Sequence, residues 1–500
     1  MAEATGFRDA FLAQVRERPD AAALVWHGRE TTYRELYEMA GKAGAQLVAL
    51  DLGPEEPVGI VAKKSPEAVA LVLACVLAGR RFLLPSPAFA DGTLTELFAQ
   101  SGCRYALTPY GDAMLVAWDG PPELRVAEWT DVTFMLTTSG STGLPKVVPL
   151  HQAAVDRFIA WAAEKFDIRP GRGVLNYAPL NFDLCLLDIW TTLAHGGRVV
   201  LVDPDHAANG YHLLELLVRH EVHVVQAVPM FYGLLLYAAM TRDPDRRFAS
   251  VEHVMFTGDA IPQCTLEQLP GLFPAARMYN IYGCTETNDS FVHELGPQAT
   301  RAGGPLPIGA PLPGVHAEVV GTDGTVLSGP GTGELYVSTP FQASGYLNRP
   351  SQNHRFAPHP QGWDDRRYFR TGDLVRRTVD GEIFLLGRSD FQVKVRGVAI
   401  NTAQVERVLL DHPDVREAAV VTQPDDLTGV RLVASVQRAE GSRLNSLVLR
   451  SHCAKHLPAA GIPAELRIGD EPLPKTATGK VDRNAVKFPD VSPDVQGRVS

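Results

Sequence analysis

Apolar and polar positions alternate between two periods along most of the chain. Thr32 to Leu50 reads as a capped, amphipathic helix, Pro57 to Ala62 as a short buried strand, Ser65 to Leu77 as another helix and Arg81 to Leu84 as another apolar strand. The alternation returns with a strand over His195 to Val202, a helix over Tyr211 to Arg219 and a strand over Val222 to Val228. This order predicts an α/β architecture with mostly parallel sheets and helices packed on them. Beyond about Gly303 the texture changes to short strands punctuated by Gly331, Gly333, Pro340 and Gly345, which predicts a β-rich subdomain over about 303–390. After Asp390 come a strand over Gln392 to Val395, a helix over Thr402 to Leu410, strands over Glu417 to Thr422 and Arg431 to Val436, and a helix over Leu444 to His456. That remainder predicts a separate, small α+β domain over 391–488, following an N-terminal core of 1–390, with a polar tail over 489–500.

Composition narrows the function classes. Hydrophobic residues make up 45% of the 500 and charged residues 21%, values that exclude disorder, collagen and coiled coil as whole-chain descriptions. With 47 Lys plus Arg against 57 Asp plus Glu the formal charge is -10, so no nucleic-acid partner is expected and any anionic ligand must be held locally. Six cysteines without a CxxC pair predict neither a disulfide framework nor a zinc site. Charged residues spread through Met1 to Pro19 do not form a signal peptide, and no run of about 18 apolar residues predicts a membrane span. A soluble cytoplasmic protein is the expectation.

The segment Phe134 to Lys146 carries the first chemistry. An apolar strand runs into Thr137, Thr138, Ser139, Gly140, Ser141, Thr142 and Gly143, followed by Lys146. Backbone N–H groups at close range, hydroxyl donors and one cation together suit a polyphosphate. The spacing is not that of a Walker A loop, because Gly140 and Gly143 are only three apart and Lys146 follows a proline. In order along the chain then come Asn181-Phe182-Asp183, Asn280 to Glu286, Gly333 to Val337, Tyr368 to Leu374, Gly387 to Gly397 and Lys475 to Arg483.

Together these segments resemble the adenylate-forming superfamily of acyl-CoA synthetases, luciferases and the adenylation domains of nonribosomal peptide synthesis. The resemblance runs from Thr32 to Arg483. It implies an ATP-dependent, AMP-forming ligase in which a carboxylate attacks the α-phosphate although both are anionic, so cations must neutralise the transition state. Lys480 resembles the catalytic lysine that bridges the two, and loss of such a contact costs about 10²- to 10³-fold in rate. Glu286 resembles the Mg²⁺ ligand, a hard-cation partner working with phosphate oxygens. Tyr282 and Asn280 resemble the adenine-stacking and adenine-amino contacts, and Gly258, Asp259 and Ala260 line the same nucleotide site by the resemblance. Asp373 resembles the acid that accepts from both ribose hydroxyls, and Arg388, in the Gly387 to Gly397 segment next to the hinge, falls in the same adenine- and ribose-binding set by the resemblance. Asp390 resembles the hinge about which the C-terminal domain turns between adenylation and thioester formation.

The resemblance also points to an amino acid as the acid activated. Asp183 falls where amino-acid-activating members pair with the substrate ammonium, and the rest of the implied pocket is Leu184, Leu187, Ala227, Met255, Thr257, Ile281, Asp289 and Ser290. Its opening resembles stand-alone proline-activating enzymes, so L-proline or another small or polar amino acid is expected, although Ala227 and Asp289 depart from that pattern. An acid at Asp289 has the chemistry to pair with a second amino group or a hydroxyl of the substrate. Because no carrier attachment segment follows Arg483, transfer is expected to the phosphopantetheine of a separate carrier protein. The alternatives are an acyl-CoA synthetase for another carboxylic acid and a catalytically silent nucleotide-binding module. Val147 and Cys284 depart from the family's usual residues; Cys284 has no base in its motif to make it a nucleophile.

Overall fold

The computed structural model describes the chain except residues 1–5, 54, 117–130, 139–143, 297–299, 301–303, 389–391, 396–397, 426–428, 458, 477–480, 484 and 487–500. Ser139, Gly140, Ser141, Thr142, Gly143, Asp390 and Lys480 therefore lie outside the described residues. The chain divides into two compact units, Met1–Thr371 with Val375–Leu385, and Gly372–Leu374 with Leu386–Ser500.

Helix starts follow their local chemistry. Thr32 accepts from the Glu35 N–H and the Glu35 carboxylate reaches back to the Thr32 N–H, a capping box that opens the helix Tyr33–Ala49. Ser65 caps Pro66–Leu77, with proline at the first helical position. That helix is buried on nearly every side, which is why its sequence carries no polar stripe.

The larger unit holds a nine-stranded and a six-stranded sheet. In the nine-stranded sheet the strands Ala22–Trp26, Arg198–Leu201, Gly173–Asn176, Val224–Ala227, His253–Thr257 and Arg277–Cys284 run parallel in that spatial order. Antiparallel strands finish both edges: Arg29–Thr32 on one side, Asn288–Glu294 and Ala310–Pro311 on the other. The six-stranded sheet likewise has a parallel centre, Tyr105–Leu107, Val58–Ile60, Phe82–Leu84 and Val132–Thr138, with antiparallel edges. The alternation of strands and helices thus yields the α/β class read from the sequence, with antiparallel hairpins added where the chain turns without a crossover helix. One continuous core contains residues of both sheets, among them Phe82, Phe134, Met255, Ile281 and the fully buried Trp190. A second core covers the other face of the nine-stranded sheet under the helices Gly210–Arg219 and Pro229–Arg242. The texture change near Gly303 corresponds to a five-stranded sheet built from His316–Val320, Gly331–Ser338, Phe356–Pro358, Arg367–Arg377 and Ile383–Arg388.

In the smaller unit, Val415–Asp425 and Gly429–Arg438 pair antiparallel, and Glu465–Gly469 adds a parallel strand. The helices Thr402–Leu410 and Ser446–His456, capped by Asn401 and Asn445, share a core with that sheet through Val405, Leu409, Val420, Ala434, Leu449 and Cys453.

Candidate active site

The strand Val132–Thr138 and the strand Lys146–His151 are antiparallel neighbours, and their register sets Thr138 opposite Lys146 and Thr137 opposite Val147. The two ends of the hydroxyl- and glycine-rich segment are therefore adjacent. Val147 is fully buried, and its N–H donates to Asn348 Oδ1 at 2.8 Å, so this strand start is clamped to a distant loop. The same Asn348 donates to the Pro145 carbonyl at 3.0 Å and Arg349 to the Leu144 carbonyl at 3.3 Å.

Lys146 meets two partners far away in sequence. Its Nζ donates to the Tyr346 phenol at 3.2 Å, lies 4.5 Å from the centre of that ring and stands 3.7 Å from Glu286 Oε1. Tyr346 is wholly buried and donates its own O–H to Glu286 Oε1 at 2.7 Å. Burial, with the Glu286 carboxylate beside it, holds the Tyr346 phenol far above its ordinary titration range, so it remains a donor. Glu286, only 6% exposed, is thereby oriented at one oxygen. A single oriented carboxylate suits Mg²⁺ when phosphate oxygens and water complete its shell; among the described residues no cluster of three or more His, Cys, Asp or Glu offers an all-protein cage.

Glu286 sits in the connection between Arg277–Cys284 and Asn288–Glu294. That hairpin is drawn tight at Gly283, where an added Cβ would lie 2.2 Å from the Asn288 carbonyl oxygen, and at Asn288, whose φ of 53° is left-handed. The register shifts between Tyr282 and Gly283. Along the first strand, Asn280 donates its amide to the Pro307 carbonyl at 2.8 Å, which leaves its Oδ1 as the acceptor an adenine amino group needs. Tyr282 is half-buried and packs edge-on to Phe291. Gly258, in a left-handed conformation, leads Asp259 and Ala260 out of the strand His253–Thr257; all three are exposed, and Asp259 caps the Ala260 N–H.

Asp183 precedes a short π-helix, Leu186–Thr191. Such irregular turns often place functional side chains. Its Oδ1 accepts from the Leu184 N–H at 3.1 Å. Burial raises its pKa, the nearby Thr285 side chain opposes that, and the Glu286 charge adds to it. Around it, Leu187, Met255 and Ile281 are buried in the shared core, Leu184 packs against that core, and Thr257 lies opposite Ile281 in the sheet. Ala227 instead packs in the core on the other face of the sheet. Ser290 is fully buried, its hydroxyl bonded to Thr287 Oγ1 and the Asn288 carbonyl, both at 3.1 Å. Asp289 is half-buried opposite Gly283; burial first, and the Asp183 charge second, raise its pKa to about 7.

Four further residues belong to this region and carry no motif. Asp188, within the π-helix, is fully buried and accepts from Asn176 Nδ2 at 3.1 Å. Lys64, also buried, donates to the carbonyls of Asn176, Tyr177 and Ala178 at 2.9–3.1 Å, and burial lowers its pKa to about 8. Gln226 is 1% exposed. Tyr346 is the fourth. The one signal available in the sequence was a lone acid, Asp188, inside the apolar run Leu184 to Trp190.

In the smaller unit, Arg388 donates to Asp373 Oδ1 at 3.1 Å, and Asn401 holds the Arg388 carbonyl. Further along the chain, residues on the C-terminal unit are held by ion pairs. Lys475 pairs with Glu417 at 2.7 Å and bridges to Val481, and Arg483 binds the buried Glu406 at 2.7 Å through its Nε.

A buried carboxylate held beside a lysine, with a second acid acting on it electrostatically, is an arrangement with the chemistry to hold a cation and an anionic ligand. The AMP-binding enzyme family matches residues 11–347 and the AMP-binding enzyme C-terminal domain residues 404–480, so the chain belongs to the AMP-binding enzymes, a family of AMP-forming ligases. It is 32% identical over 504 residues to an L-proline--[L-prolyl-carrier protein] ligase of Streptomyces coelicolor, covering 95% of this chain and 88% of that protein. It is 30% identical over 524 residues to a dimodular nonribosomal peptide synthase of Bacillus subtilis, covering 98% of this chain but only 22% of that protein. Among solved structures, a four-domain nonribosomal peptide synthetase bound to AMP and glycine matches with a TM-score of 0.80 at 25% identity, over 100% of this chain and 38% of that one. The o-succinylbenzoate CoA synthetase of Bacillus subtilis shares the fold, with a TM-score of 0.79 at 24% identity over 96% and 98% of the two chains.

Proposed function

We propose that the chain activates an amino acid with ATP as an aminoacyl-AMP and passes it to the phosphopantetheine thiol of a separate carrier protein. The observation that carries this reading is Asp183: a half-buried carboxylate just ahead of the buried π-helix Leu186–Thr191, on which the Glu286 charge acts. An unpaired carboxylate there is costly, and a substrate ammonium relieves the cost. The likeness to a prolyl-carrier protein ligase over most of both chains supports the carrier as acceptor.

In the first half-reaction, a carboxylate oxygen of the amino acid bonds to the α-phosphorus while the bond to pyrophosphate breaks. Lys146 and the hydroxyls Thr137 and Thr138 face the polyphosphate, Asn280 and Tyr282 hold adenine beside Gly258, Asp259 and Ala260, and Asp373 with Arg388 receives the ribose. Glu286 would hold Mg²⁺, which when bound neutralises phosphate charge. Lys480 stabilises the transition state. In the second half-reaction the thiol sulfur attacks the acyl carbon and AMP leaves with the carboxyl oxygen, after a domain rotation about Asp390 between the N-terminal part, 1–390, and the C-terminal part, 391–488.

ATP–pyrophosphate exchange over L-proline, small and polar amino acids, β-amino acids and aryl acids tests the reading. Exchange is expected only with acids bearing an amino group, and Lys480→Ala should lower it by about 10²- to 10³-fold. Exchange confined to acids without an amino group, with thioester formed on free coenzyme A, would return the chain to the acyl-CoA synthetases. ATP binding without any exchange, indifferent to Lys480→Ala, would leave a nucleotide-binding module.

A further inference from the structure

Asp289 stands out from the rest of the pocket. Its neighbour in the strand, Ser290, has its hydroxyl engaged inside the hairpin, whereas Asp289 has neither a hydrogen bond nor an ion pair among the described residues. Its carboxylate and that of Asp183 act on each other electrostatically, and Asp289 acts in the same way on Asp188. Asp289 is thus electrostatically coupled to two other carboxylates, Asp183 and Asp188. The lysine that faces Asp188, Lys64, has its ammonium on three backbone carbonyls.

A second observation is independent of those acids. Gln226 pairs in register with Asn176 on one side and Met255 on the other, so the three side chains share one face of the sheet, the face whose core includes Leu187 and Ile281. Asn176 there reaches Asp188. Neither amide atom of the buried Gln226 has a partner among the described residues, and the same holds for Asn176 Oδ1 and Asp188 Oδ1. Buried polar atoms without partners are rare in folded proteins. Here two of the four, Gln226 Oε1 and Asn176 Oδ1, are acceptors in any protonation state, against one fixed donor, Gln226 Nε2, so acceptors exceed donors. A hydroxyl brings one donor; an ammonium brings three and a guanidinium five, with the charge that opposed carboxylates require.

We infer that the acid activated at this site is a basic amino acid, with Asp183 taking its α-ammonium and Asp289 the cationic nitrogen of its side chain. This rests on the amino-acid reading and names its substrate class. Bringing a second cation into the corner neutralises the repulsion between Asp183 and Asp289, while a neutral side chain leaves Asp289 desolvated and alone. The unpartnered acceptors behind it add to the preference without touching the reacting atoms.

The test is ATP–pyrophosphate exchange by the full chain with L-ornithine, L-2,4-diaminobutyrate, L-lysine and L-arginine, each beside a neutral counterpart such as L-norvaline, L-norleucine or L-citrulline, and with L-proline. One basic acid should exceed its neutral counterpart by at least about 100-fold in kcat/KM, because a site built to bond a polar group rejects the analogue lacking it. Asp289→Asn should lower kcat/KM for that basic acid about 100-fold more than for the counterpart. L-proline or L-norvaline matching every basic acid overturns the inference and leaves amino-acid activation standing. Asp289→Asn lowering all acids alike also overturns it, since both carboxylates would then hold one ammonium. Exchange with aryl acids alone removes the amino-acid reading and this inference with it, a pattern distinct from the other two. Should Asp289→Asn fail to fold, the selectivity of the unaltered protein decides.

Discussion

Glu286 and Asp289 lie three residues apart on one hairpin, and the acidic groups around them are treated in opposite ways. At Glu286 the protein supplies the compensation itself: a phenol donates to the carboxylate and a lysine stands 3.7 Å away. At Asp183 the described residues offer a backbone N–H, at Asp289 they offer no ion pair, and both carboxyl groups have raised pKa values. On the proposed function, a carboxylate that serves a cation and a polyphosphate is oriented beforehand, whereas carboxylates that take a substrate cation remain unpaired, so that binding contributes the charge.

The sharpest way to break the comparison is at Asp183. Asp183→Ala should lower kcat/KM for the preferred amino acid by about 10²- to 10⁴-fold, because the ammonium it served is then buried without a counter-charge at a cost of about 3–5 kcal/mol. Exchange kinetics over a range of amino acid concentrations measure it. An effect below about tenfold would make Asp183 a helix-capping residue and erase the contrast between the two corners.

Tyr346→Phe probes the other corner and should act less strongly. It removes the donor to Glu286 Oε1 and the acceptor of Lys146 while keeping the ring beneath the ammonium. A hydrogen bond to a charged group contributes about 1.5–3 kcal/mol, so the ATP dependence of exchange should weaken by about tenfold or more. The KM for the amino acid should move far less. If both constants move together, Tyr346 holds the pocket as a whole rather than the phosphate end.

How far the sequence foretold these corners depends on the range over which each was assembled. Helix starts at Thr32 and Ser65 were legible because a cap and its partner lie within three residues. The strand Glu465–Gly469 and the hairpin strand Val398–Asn401 were missed, being short segments without a clean two-residue alternation. Asp183 and Glu286 were singled out through their motifs. Tyr346 was not, since 60 residues separate it from Glu286 and nothing periodic marks its loop. Gln226 and Asn176 look like ordinary strand residues until the register sets them side by side facing Asp188. Long-range register is what local patterning leaves open.

The smallest expected effect concerns stability and carries a definite sign. Asp289 has a folded pKa raised from 3.8 to about 7, so between those values the folded chain holds a proton that the unfolded chain has lost. Stability from this group is therefore fully present below about pH 4, declines as pH rises and reaches its floor above about pH 7. Asp183 and Asp188, also raised, push in the same direction, while Glu286 and Lys64 face the same region through them. Asn at position 289 cannot ionise. Asp289→Asn should accordingly raise the melting temperature slightly at pH 8, with the gain shrinking steadily toward pH 4. Thermal denaturation at several pH values checks this, and a gain that is flat or reversed with pH would mean that Asp289 already has a counter-charge in the free protein. Adding the preferred basic amino acid should shrink the gap at pH 8 by stabilising the unaltered protein more than the variant, because the ligand then provides the cation that Asp289 lacks.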